Sequence, residues 1–74
     1  MDSVDDYQEI GRFNKTVRRQ IVIGVFCREQ KLFLHVREYE NHMYPTKNGI
    51  VMELNCLEQL IEQLEKARAY KGAY

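Results

Sequence analysis

Lys31-Leu32-Phe33-Leu34-His35-Val36-Arg37-Glu38-Tyr39, a short polar connection, and then Tyr44-Pro45-Thr46-Lys47-Asn48-Gly49-Ile50-Val51-Met52 is the stretch whose reading decides the fold. Side chains of a β-strand alternate between two faces. In the first run Leu32, Leu34 and Val36 therefore point one way, while Phe33, His35, Arg37 and Tyr39 point the other. One face is apolar and the other is aromatic and cationic. In the second run Pro45 has no N–H and suits the start of a strand or a sheet edge. Ile50 and Met52 are expected to face inward, and Gly49 leaves room for close approach to the backbone or simply for a bend in a twisted strand.

Working toward the N-terminus, Ile21 to Cys27 is β-branched and aromatic, which predicts another strand. Ile21, Ile23, Val25 and Cys27 share one face, with Val22, Gly24 and Phe26 opposite. Gly24 has no side chain to pack, so it marks a bulge, a bend or the close approach of another chain segment. Arg28-Glu29-Gln30 supplies a short polar hairpin into Lys31. Ile10-Gly11-Arg12-Phe13 opens a first strand, and the basic connection Asn14 to Gln20 is either a solvated link or a flap that reaches a phosphate backbone. Met1 to Glu9 is polar, acidic and without periodicity, which predicts a flexible tail. Its Ser3-Val4-Asp5-Asp6 has the pattern of an acidophilic kinase site.

Toward the C-terminus, Leu57, Leu60, Ile61, Leu64 and Ala67 recur at helical spacing and form one apolar stripe. The helix is expected to start near Glu53 or Asn55, with Asn55 and Glu58 spaced as a capping box, and to fray beyond Ala69. The chain thus divides into an acidic tail at 1–9, one domain at 10–70 and a frayed end at 71–74.

Arg37-Glu38-Tyr39, the spacer, Pro45-Thr46-Lys47-Asn48-Gly49-Ile50 and the closing amphipathic helix together resemble the C-terminal domain of the positive cofactor four family of transcriptional coactivators, over Val22 to Ala67. The resemblance implies an α+β fold: a curved antiparallel four-stranded sheet followed by one C-terminal helix, dimerising through the helices. It also implies a protein that binds single-stranded DNA in grooves along its sheets, nuclear, or cytoplasmic if the source is a prokaryote or virus. The chain departs from the family pattern in a longer, more basic segment before Val22, in Glu29 at the first hairpin, and in a shorter connection before Pro45.

Charge and composition narrow the function classes. The net charge is zero, but residues 11–50 hold eight bases against three acids, so positive charge gathers on the expected sheet. A neutral total argues against an indiscriminate polyanion binder. With 74 residues, one domain is expected, at a size where self-association often completes the core. Cys27 and Cys56 make neither a disulfide framework nor a metal motif and are expected to be unbonded fillers. No nucleophile and base fall in a recognisable arrangement, and there is no phosphate loop, so the residues call for no catalytic group, cofactor or metal. No apolar run is long enough to cross a membrane.

What the residues offer is binding. Bases stack on aromatic rings while cations follow the phosphates. Arg28, Lys31, Phe33, His35, Arg37, Tyr39, Tyr44, Lys47 and Gly49 are the candidate nucleic-acid contacts, and Leu57, Leu60, Ile61 and Leu64 the candidate dimer contacts. Single-stranded DNA is the first partner, with RNA and the transcription machinery as further ones. The competing reading is a dimeric protein-interaction module whose aromatic face docks another protein.

Overall fold

The computed structural model describes residues 7–70. Four strands, β1 (Gln8–Asn14), β2 (Arg19–Arg28), β3 (Lys31–Glu40) and β4 (Tyr44–Glu53), form one antiparallel meander in sequence order. A single 3-10 turn over Leu54–Cys56 leads into α1 (Leu57–Tyr70). This is the expected α+β arrangement of a four-stranded sheet and one C-terminal helix, and the sheet is open at β1 and β4.

The register fixes what each face carries. Gln20, Val22, Gly24, Phe26 and Arg28 of β2 pair with Tyr39, Arg37, His35, Phe33 and Lys31 of β3. Paired residues share a face, so the aromatic and cationic row of β3 meets the even-numbered residues of β2. The reverse face carries Ile21, Ile23, Val25 and Cys27 against Glu38, Val36, Leu34 and Leu32, continued by Ile50 and Met52 on β4.

Both hairpins beside β3 turn through left-handed backbone. Glu29 and Gln30 have φ of 53° and 67°, and Asn41 and His42 have 53° and 72°. Two left-handed central residues twist a hairpin in the sense that the strands require. At the second turn, 41–43, Gln20 and Arg18 hold the backbone: His42 N–H donates to Gln20 Oε1 at 2.9 Å and Asn41 N–H to the Arg18 carbonyl at 2.8 Å.

Two strand irregularities shift the expected pattern. A bulge lies between Glu9 and Gly11 in β1, and another separates the Arg37–Gly49 pair from the Tyr39–Pro45 pair, leaving 46–48 opposite Glu38 alone. Gln8 and Glu9, expected in the tail, are paired strand residues opposite Val25 and Gly24. They show no apolar alternation because they sit at a sheet edge. The helix begins later than expected: Asn55 lies inside the 3-10 turn, and α1 opens at Leu57. The expected frayed end and the Ser3 pattern fall outside the described residues.

The core is thin. Among the described residues Val22 and Leu34 are the buried apolar ones, one on each face, and no residue of α1 is buried. Phe13, Leu32 and Ile50 remain about half exposed on the apolar face, as do Ile61 and Leu64 on the helix. The radius of gyration, 14.1 Å, exceeds the about 11 Å of a compact chain of this length. Cys27 and Cys56 are free thiols.

Candidate nucleic-acid interface

β3 positions the centre of the row. Strand alternation places Lys31, Phe33, His35, Arg37 and Tyr39 on one face, and neighbouring strands extend it with Phe26 and Arg28 from β2, Arg12 from β1 and Val51 from β4. Phe26 and Phe33, directly paired across β2 and β3, stack with ring centroids 5.3 Å apart and planes within 12°. Phe26 also meets His35 edge to face at 6.3 Å, and the Arg28 guanidinium lies 5.5 Å from the Phe26 ring centroid. At the other end of the row Arg12 lies over Tyr39 at 5.4 Å. Aromatic pairs and cations over ring faces are each worth about 0.5–1.5 kcal/mol beyond burial, so these rings hold one another in place.

Arg37 is fixed at the centre of the row by two hydrogen bonds. Its Nε donates to His35 Nε2 at 2.9 Å and its guanidinium also donates to the Thr46 carbonyl at 2.8 Å. The paired Gly49 makes that path possible, because a Cβ there would stand 2.8 Å from the Val36 carbonyl oxygen and 2.9 Å from the Arg37 guanidinium carbon. Burial, and then the neighbouring Arg37 charge, hold His35 below its ordinary imidazole value. The imidazole is therefore neutral at physiological pH, and it accepts from Arg37 through Nε2.

The charges on this face are partly committed. Arg12 pairs with Glu9 at 2.8 Å, which pulls the Glu9 carboxyl below its usual range, and it also donates to the His42 carbonyl at 3.0 Å. Lys31 stands 3.5 Å from Glu53. Exposed pairs of this kind are weak. By register, Arg12, Arg28, Lys31 and Arg37 face Glu9 and Glu53 here, a positive excess among the described residues.

Seven of the nine candidate contacts come together: Arg28, Lys31, Phe33, His35, Arg37 and Tyr39 in the row, with Gly49 beneath Arg37. Tyr44 does not join them. It pairs with Glu40, which puts its ring on the reverse face, 59% exposed. Lys47 sits in the β4 bulge, exposed and without a register partner. Lys15, and Arg19 at the start of β2, also turn away, binding the buried Glu38 of the reverse face at 3.3 and 2.8 Å. Four residues join the site beyond those expected, namely Tyr7, Arg12, Phe26 and Val51. Phe26 was legible, since alternation already placed it on the same face as Gly24. Tyr7 was hidden by its acidic surroundings.

Tyr7, Phe26, Arg28, His35, Arg37 and Val51 enclose a cleft of about 300 Å³. Tyr7 closes one side: its ring meets His35 edge to face at 5.8 Å, and its hydroxyl end occupies the space that a side chain on Gly24 would take. Burial, followed by the nearby Tyr39 and Glu9, raises the Tyr7 hydroxyl above its ordinary value. Among the described residues no three His, Cys, Asp or Glu side chains gather as they would around a metal ion, and no helix is long and apolar enough to cross a membrane. No family model, no curated protein and no solved structure matches the chain.

Proposed function

We infer that the protein is a non-enzymatic, homodimeric single-stranded DNA-binding protein of the transcriptional coactivator kind, acting in the nucleus. The observation that carries this reading is the preformed row on β3 and β2, where stacked Phe26 and Phe33 lie between Arg28 and the His35–Arg37 pair. An unpaired strand offers what such a surface takes: base faces to stack and phosphates to neutralise. Duplex hides its base faces, so it gains only the phosphate contribution. None of the row's groups reads a full base-edge code, so sequence preference is weak, and RNA competes.

The apolar side supports self-association. Phe13, Leu32 and Ile50 on the sheet and Ile61 and Leu64 on α1 are exposed hydrophobics that the chain's own core leaves uncovered. A second copy offers the same stripe, so helix pairing through Leu57, Leu60, Ile61 and Leu64 closes by a two-fold axis. The test is a salt titration of binding to a fluorescent single-stranded oligonucleotide and to its duplex. Tighter binding of the single strand, weakening with salt, supports the reading. Equal and weak binding of both overturns it and leaves the aromatic face to a protein partner.

A further inference from the structure

Two of the residues that line the cleft each carry a buried polar atom with no hydrogen-bond partner, the Tyr7 hydroxyl and His35 Nδ1. Buried polar atoms are nearly always paired, and leaving one unpaired costs stability. The chemistry of the histidine orphan can be assigned. A guanidinium Nε always carries hydrogen, and Arg37 Nε lies 2.9 Å from His35 Nε2, so Nε2 is the lone-pair nitrogen. Neutral imidazole has one N–H, which is then on Nδ1. The unpaired atom is a donor, covered in this arrangement and given no acceptor.

The slot's shape indicates what would supply one. At about 300 Å³ it is at the small end of ligand clefts, and besides His35 its lining is apolar or aromatic at Tyr7, Phe26 and Val51 and cationic at Arg28 and Arg37. A flat group bearing a carbonyl and attached to an anion fits those walls. Tyr7 is positioned to admit it, because it precedes β1 and has no strand pairing to break. Gly24 gives it a seat without any interlocking side chain. Its buried hydroxyl, unpaired in the shut position, regains partners on lifting.

Resting on the single-strand reading, we propose that this cleft takes one unpaired, carbonyl-bearing base, read by His35 Nδ1–H, with Tyr7 as a lid that lifts from Gly24 and closes over the base. Thymine presents carbonyl oxygens and adenine none, so the slot separates them.

The experiment compares binding of (dT)12 and (dA)12 to the wild-type protein and to His35→Phe, which keeps a ring and loses the N–H. Self-stacking of the adenine strand affects both proteins alike, so the change in the dT/dA ratio is the readout. The expected ratio falls on the order of fivefold in the variant, through weaker binding of (dT)12 alone and with an unchanged salt slope. An unchanged ratio, or equal weakening of both strands, overturns the slot and leaves the single-strand reading standing. Failure of the wild-type protein to bind either strand overturns both. Nitrogen-15 NMR of the wild-type imidazoles gives an arm free of folding effects: a protonated Nδ1 that shifts with (dT)12 and not with (dA)12 supports the proposal, and a protonated Nε2 in the free protein overturns it.

Discussion

Glu38 of β3 accepts a hydrogen bond from Arg19 of β2 at 2.8 Å with its side chain only 3% exposed. Asn48 donates to the same carboxylate at 3.1 Å and Lys15 at 3.3 Å. One acid thereby ties together β2, β3, the β4 bulge and the 15–18 segment. Arg19, then Asn48, hold its carboxyl below the ordinary value of 4.5. A depressed carboxyl pKa contributes stability that is present above the unfolded value and is lost as pH falls through the folded one. Glu38→Gln is expected to melt well below wild type at pH 7, with the gap shrinking as pH falls below about 4.5. Parallel melting curves recorded between pH 7 and pH 3 check this, and a gap independent of pH contradicts it.

Arg37 and Tyr39 separate charge from stacking. Arg37→Ala removes a cation fixed by His35 and Thr46, so affinity for a single strand should drop and the slope of log affinity against log salt should flatten by about 0.7 for each phosphate that is no longer neutralised. Tyr39→Ala should weaken binding by about 1–3 kcal/mol with little change of slope. Anisotropy titrations at several salt concentrations measure both. Identical slopes for the two variants would count against this division.

Leu60→Ala tests the helix stripe. Leu60 is half-buried within one chain, and if α1 pairs with α1 of a second copy the truncation costs about 2–5 kcal/mol, a large share of the stability of so small a domain. Sedimentation should show monomer, or unfolding should coincide with dissociation. A variant that sediments and melts like the wild type overturns helix pairing.

The Glu29–Gln30 turn holds two non-glycine residues at positive φ, where asparagine and glycine are far better suited. Glu29→Asn with Gln30→Gly is expected to raise stability by about 1 kcal/mol and to leave single-strand affinity unchanged. Urea denaturation of the double variant measures the gain, and a drop in stability would show that the two side chains make interactions beyond the turn.

Alternation made β2 and β3 legible, because ten-residue strands with opposite faces leave little freedom of register. Tyr44 and Lys47 were harder for one reason. Extra residues in β4 opposite Glu38 break the period of two, and no residue pattern announces where a bulge falls. Tyr7 escaped because it contributes through Gly24, distant in the chain, and only the fold brings the ring to the missing side chain. The basic connection Asn14 to Gln20 was open to two readings, a solvated link or a flap toward a phosphate backbone, and neither foresaw that Lys15 and Arg19 serve a buried acid on the reverse face. The late start of α1 reflects the 3-10 turn, which takes up the residues that looked like a cap.

Both borders of the sheet are interrupted, β1 by its bulge at Glu9 to Gly11 and β4 by the 46–48 bulge beside Pro45, which has no N–H to offer. A flat, continuous border would template strand after strand without limit. These breaks deny it that role, so open-ended polymerisation is discouraged at the very places where an antiparallel meander is most exposed to it. The apolar face and the helix carry no such open-ended template, and a finite assembly can close over them.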